Sequence, residues 1–126
     1  MNVPEGLRYT SDHEWSRAEE GRIRVGITDY AQDALGDVVF VQLPNVGDSV
    51  AASAVMGEVE STKSVSDLYS PVAGVVVEVN GSLVDSPQLL NEDPYGAGWI
   101  CTIDPSEPAE VEGLLDAESY RQLIAD

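Results

Sequence analysis

Apolar residues at every second position, in short runs closed by turn-forming residues, restrict this chain to a mainly β fold. Ile23, Val25 and Ile27 alternate with Arg22, Arg24 and Gly26, the period of a strand with one buried face. Residues 38–43 form a second run, apolar enough to predict cover on both faces. Pro44-Asn45 and Gly47-Asp48 then break the path. Val55, Gly57 and Val59 alternate with Met56, Glu58 and Glu60, a strand that turns acidic at its end. Residues 72–79 follow Ser70-Pro71, with Gly74 marking a bulge or a close backbone approach. Residues 99–103 make a late strand.

Helical signals are fewer. Asp29 with Gln32 three residues on resembles a capping box, and Gly36 suits the end of a short helix. Ser86-Pro87 predicts an N-cap and a proline in the first turn, with Asn91 as the stop. Val111, Leu114, Leu115, Tyr120, Leu123 and Ile124 recur at roughly helical spacing, so residues 109–125 are expected to form one or two helices. The chain of 126 residues fits one domain, with no linker or low-complexity tract dividing it. Strands first and helices last predict a mainly β domain with short peripheral helices and a C-terminal helical segment.

The charge is far from balanced. Acidic residues number 23 against 6 basic ones, a net charge of −17. Such a field repels phosphate backbones and anionic lipid, and it steers the chain toward partners with basic surfaces. No segment approaches the roughly 20 apolar residues of a membrane span, and residues 1–20 show no signal-peptide pattern. Cys101 is the single cysteine, so no internal disulfide forms. The expected location is a bacterial cytoplasm.

The basic residues are Arg8, Arg17, Arg22, Arg24, Lys63 and Arg121, which makes Lys63 the sole lysine. It lies in Glu58-Val59-Glu60-Ser61-Thr62-Lys63-Ser64-Val65-Ser66-Asp67, a polar patch between two strand-like runs. If those runs pair as a hairpin, the Lys63 amine projects into solvent near the turn. A lysine amine forms a stable amide, and its four-carbon stem adds reach; a guanidinium stays protonated and is a poor nucleophile. The residues alone leave two readings open: an acylation site, or a solvated turn lysine, the commoner fate of an exposed lysine.

Blocks spread along nearly the whole chain narrow the choice. Asp12-His13-Glu14-Trp15, Val25-Gly26-Ile27-Thr28-Asp29-Tyr30-Ala31-Gln32, Leu35-Gly36-Asp37-Val38-Val39-Phe40-Val41 and Val65-Ser66-Asp67-Leu68-Tyr69-Ser70-Pro71 resemble the H protein of the glycine cleavage system. Val77-Glu78-Val79-Asn80, Asn91-Glu92-Asp93-Pro94-Tyr95-Gly96 and Gly98-Trp99 continue the resemblance in the same order.

The resemblance implies a lipoyl/biotinyl-domain-like barrel-sandwich hybrid, one carrier domain over residues 1–126. Its lipoyl-like core spans about residues 22–104 and its helical tail about residues 106–126. It implies covalent lipoate on Lys63 and a non-catalytic, monomeric carrier in the cytoplasm. The implied partners are a pyridoxal-phosphate glycine decarboxylase that loads an aminomethyl group, a tetrahydrofolate-dependent aminomethyltransferase, a dihydrolipoyl dehydrogenase, and the lipoate-attaching enzymes. Glu14 matches the family carboxylate that contacts the carried amine in a docking cleft, and Asp67 lies close by in the lysine motif. Ala34 stands where relatives can carry histidine, which makes the cleft wall less polar. Thr62 and Ser64 flank the lysine where many relatives have Val or Ala. The methionines that flank biotinyl lysines are absent, which favours lipoate.

Other chemistries lack their groups. His13 and Cys101 do not make a zinc site, and no G-x-S-x-G elbow or phosphate loop is present. His13 reads as a packed or surface residue, Cys101 as a buried thiol, and residues 95–99 as turn and core anchor. A lipoyl-relay carrier for other lipoate-dependent complexes, and an acidic interaction domain with unmodified Lys63, are the alternatives.

Overall fold

Strand pairing divides the chain between two antiparallel sheets. The computed structural model describes residues 1–125; Asp126, last residue of the expected tail, lies outside them. The larger sheet runs β1 (Arg8–Tyr9), β2 (Glu14–Glu19), β3 (Arg22–Ile27), β9 (Cys101–Pro105), β8 (Gly74–Val79), β5 (Ser49–Val50). The smaller runs β4 (Val38–Gln42), β6 (Val55–Ser61), β7 (Val65–Tyr69). Among the described residues, five short helices join or flank them: α1 (Asp29–Leu35), α2 (Ser82–Asp85), α3 (Leu89–Glu92), α4 (Ala109–Glu112) and α5 (Ala117–Ala125).

The alternation seen in β3 buries Ile23, Val25 and Ile27. They join Val76 and Ile103 of the large sheet and Val41, Val59 and Leu68 of the small one in a single core. Each fully buried aliphatic side chain of this size contributes about 1.5–3 kcal/mol. The sheets share this core without closing into a barrel, an arrangement compatible with a barrel-sandwich hybrid.

A second apolar cluster lies around β1 and β2. Val3, Leu7, Tyr9 and Trp15 pack with Ala117 and Tyr120 of α5, and the Tyr9 and Tyr120 rings stack at 4.6 Å. Trp15 lies across its cross-strand partner Gly26, where a Cβ would come within 2.7 Å of the indole. The tail is therefore tied to the N-terminal strands, and through them to one wall of the cavity described below.

Several local expectations change. The run 38–43 is open on one face: Val39 is 49% and Phe40 54% exposed. β4 pairs only with β6, and a register shift between Val38 and Phe40 presents both Val39 and Phe40 to solvent. Thr28, not Asp29, caps α1, accepting from the Ala31 amide at 3.2 Å. Gln32 instead donates to Asp29 at 2.7 Å, while Gly36 ends the helix as expected. Ser86 closes α2 rather than opening a helix, and Asn91 sits inside α3. α3 runs one residue past Asn91 to Glu92, with Asp93 at its cap, and the Asn91 side chain accepts from Val38 N and donates to Gly36 O, tying α3 to the end of α1. The strand expected at 72–79 begins at Gly74, where a Cβ would collide with Asp104 O, so that glycine marks a close approach. The late strand starts at Cys101: the Trp99 amide donates to Gly96 O at 3.1 Å and closes a turn, while its ring lies 4.1 Å from the Arg24 guanidinium. No helix among the described residues is long and apolar enough to cross a membrane.

Candidate functional site

The β6–β7 hairpin places Lys63 at its turn, as the alternation on either side predicts. Glu60 and Val65 are the last paired residues, leaving four between them. Ser61 organises the turn. Its amide donates to Ser64 O at 2.8 Å, and its hydroxyl donates to the same carbonyl at 3.1 Å. Its Oγ also accepts from the Lys63 amide at 3.3 Å and the Ser64 amide at 3.1 Å. Thr62 N donates to Asp37 O at 3.0 Å, fastening the turn to the segment between α1 and β4. The backbone around Lys63 is thus held while its side chain stays exposed. The aliphatic stem passes over Gly36, where a Cβ would lie 3.2 Å from Lys63 Cε. Gly36 has φ +82°, so glycine serves both the helix end and the path of the lysine.

Beside the hairpin is a cavity of about 290 Å³. Its apolar wall comes from Ile27, Leu35, Val59 and Leu68, with Ala31 and Ala34 on α1. Ser64, Val65 and Ser66 continue the hairpin into its rim, and Asp12, His13 and Glu14 supply its polar side. Asp67 also borders it and is exposed, next to Glu58 on the outer face of the small sheet. Lys63 itself does not line the cavity; Ser64 does.

Glu14 is the unusual group here, a carboxylate only 2% exposed. Thr10 donates its hydroxyl to Oε1 at 2.7 Å, and Tyr69 donates its amide to Oε2 at 3.4 Å. Burial pushes the acid up to about 7, with Asp12 adding to the rise and the hydrogen bonds from Thr10 and Tyr69 opposing it. Near neutral pH the group sits between its two protonation states, and a cation entering the cavity would favour the charged one.

Behind the same wall lies a contact that local patterning did not reveal. His13, with φ +70°, places Nδ1 2.8 Å from Tyr120 Oη, which is 2.8 Å from Thr28 Oγ1. The imidazole also packs on Tyr30 with ring centroids 4.6 Å apart. Thr28 and Tyr120 are separated by most of the chain, so neither spacing nor composition signals their meeting. Cys101 is fully buried in the core, which pushes its thiol up to about 12. Among the described residues no group of three or more His, Cys, Asp and Glu side chains is placed to hold a metal.

A two-sheet body that holds one lysine on a fastened hairpin, beside a cavity with a buried carboxylate, has the geometry of a carrier for a group tethered to an amine. The comparisons with known proteins agree. The family model for the glycine cleavage H-protein matches residues 7–126. The chain is 52% identical over 126 residues to a glycine cleavage system H protein of Anaeromyxobacter sp. (strain K), covering all of this chain and 98% of that one. It is 58% identical over 128 residues to one from Mycolicibacterium vanbaalenii, covering 98% of each. The crystal structure of a glycine cleavage system H protein from Mycobacterium marinum superposes with a TM-score of 0.91 at 47% identity, covering 98% of this chain and all of that one. The chain belongs to the glycine cleavage H-protein family, the non-catalytic lipoyl carriers of the glycine cleavage system.

Members of that family carry lipoate covalently on a lysine. The residues present fit such a group. The cavity begins at the hairpin, offers an apolar wall to a hydrocarbon arm, and has a buried carboxylate on its polar side.

Proposed function

We propose that Lys63 is the lipoyl attachment residue and that this chain carries an aminomethyl group from glycine decarboxylase to aminomethyltransferase, then presents the dithiol to dihydrolipoyl dehydrogenase. The observation that carries the reading is the position of the only lysine, at the turn of a hairpin whose backbone is fixed by Ser61 and Asp37. A lipoate-attaching enzyme can grip that backbone while the amine projects toward it. When bound, lipoate supplies a disulfide that opens and recloses as the cargo is taken up and released; that chemistry belongs to the cofactor and the partner enzymes.

The chain's own residues tether, hold and shield. Acylation removes one positive charge, taking −17 to −18, and leaves the stem free to swing. Tethering raises the effective concentration of the cargo at each partner. Glu14, helped by Asp67 at the rim, holds a cationic amine in the cavity; a charge-assisted hydrogen bond to a desolvated carboxylate is stronger than a neutral one. The cavity walls keep water from the held group. Residues 1–126 act as one carrier unit, a monomer in a bacterial cytoplasm, and the acidic face beside the hairpin, with Glu58, Glu60 and Asp67, recruits partners with basic surfaces.

Intact mass of the chain made in a host with active lipoylation tests the first step. The wild type gains the mass of one lipoyl group and Lys63→Arg gains none; an unmodified wild type refutes the reading. The modified chain should also support exchange of the glycine carboxyl with bicarbonate by the decarboxylase. Modified protein that does not support this exchange refutes the carrier role in glycine cleavage.

A further inference from the structure

Thr28 and Tyr120, behind the cavity wall, form with His13 on its lining a hydrogen-bond chain whose direction follows from counting protons. Thr28 is fully buried. Its Oγ1 already accepts from the Ala31 amide, and its only other partner among the described residues is Tyr120 Oη. Tyr120 Oη in turn meets His13 Nδ1. Each hydroxyl has one proton to give. The Thr28 proton can go only to Tyr120, so the Tyr120 proton goes to His13 Nδ1. The opposite direction would leave the Thr28 proton unpaired on a fully buried hydroxyl, which costs the desolvation of a polar group. Nδ1 is then the acceptor, and the ring's own proton sits on Nε2.

Burial holds the imidazole below its ordinary range despite Asp12, which keeps it neutral and leaves Nδ1 free to accept. Around the ring stand Asp12 and Glu14 from its own segment, Tyr30 from α1 and Tyr120 from α5. His13 lines the cavity together with Glu14, yet the two differ in kind. Glu14 accepts and suits a cationic donor. An Nε2–H donates and would be mismatched to an amine.

We propose that Thr28 and Tyr120 are positioning residues that hold His13 as its Nε2–H tautomer, and that His13 donates this proton to the amide carbonyl of the arm docked in the cavity. The proposal rests on Lys63 being the acylated residue, since the carbonyl is the one that any acyl group on a lysine amine carries. Glu14 then addresses the far, charged end of the arm while His13 addresses its neutral amide. The C-terminal helix reaches the cavity through Tyr120 alone of these three groups, so α5 takes part in arm docking without lining the cavity itself.

Nitrogen NMR of the full chain labelled at histidine tests both halves, and His13 is the only histidine. The unmodified wild type should show a protonated Nε2 and an unprotonated Nδ1. Tyr120→Phe should give a mixture of tautomers while the backbone resonances of the large sheet stay in place. Thr28→Ser, which keeps the hydroxyl, should retain the single tautomer, and Thr28→Val should lose it; this pair stands in if Tyr120→Phe does not fold. When Lys63 is lipoylated and loaded, the Nε2–H resonance should move in the wild type and move less in Tyr120→Phe. A wild-type Nδ1–H tautomer overturns the proposal. So does an Nε2–H resonance unmoved by loading in a chain whose mass confirms the group. A chain that gains no mass refutes the Lys63 reading and the donor role with it, while the tautomer result stands on its own.

Discussion

Replacing Glu14 with glutamine removes one ionisation and keeps the side-chain shape, so it isolates what burying this carboxylate costs. The folded acid titrates at about 7 against an ordinary 4.5. Between those values the folded chain holds a proton that the unfolded chain has released, so stability falls as pH rises through this window. At about 1.4 kcal/mol per pKa unit the loss is roughly 3 kcal/mol, complete above pH 7. His13 acts in the opposite sense. Its acid form is disfavoured by burial, so the unfolded chain takes the extra proton below 6.5 and stability is lost as pH falls. The difference between wild type and Glu14→Gln cancels that contribution. In the variant the Thr10 hydroxyl can still donate to the amide oxygen, but the amide nitrogen faces the Tyr69 N–H, adding a pH-independent offset of about 1–2 kcal/mol. Urea unfolding from about pH 4 to about pH 8 should show the wild type losing roughly 3 kcal/mol relative to the variant, mostly between pH 5 and 7. A flat difference across that range means that Glu14 is already ionised in the folded chain, and the burial argument fails. A cationic amine held in the cavity should restore much of the loss above pH 7, since it favours the charged carboxylate.

Further substitutions probe the hairpin and the core. Ser61→Ala removes the oxygen that accepts from the Lys63 and Ser64 amides; about 1–2 kcal/mol of stability should be lost in urea unfolding, and lipoylation should slow. Gly36→Ala forces a side chain into φ +82° and against Lys63 Cε at 3.2 Å, so thermal unfolding should show a loss of about 1–2 kcal/mol. Cys101 should resist alkylation in the native chain and react only on unfolding, because its thiol is fully buried and pushed up to about 12; rapid labelling under native conditions would contradict the described core.

Much of this molecule was legible residue by residue. Period-two alternation located β3 and β6, and the polar patch between the runs at 55–60 and 65–68 marked the hairpin that carries Lys63. Strand and turn signals are local, and local sterics decide them. Cover was not legible in the same way. The run at 38–43 reads as doubly buried, yet Val39 and Phe40 face solvent because no layer lies outside the small sheet there. Asn91 reads as a helix stop, and its side chain instead ties α3 to Gly36 and Val38.

The sequence by itself determined a β body, a strongly acidic surface, and a single acylable amine between two strands. By resemblance it also suggested Glu14 for a docking role, with Asp67 added because it lies close by in the lysine motif. Only the tertiary structure decided how the site is built: a carboxylate 2% exposed, Gly36 under the lysine stem, and Tyr120 brought from α5 to His13 and Thr28. The division has a physical cause. Backbone periodicity is set by near neighbours, whereas burial, and with it the protonation of Glu14 and the tautomer of His13, depends on which distant segments pack against the same wall.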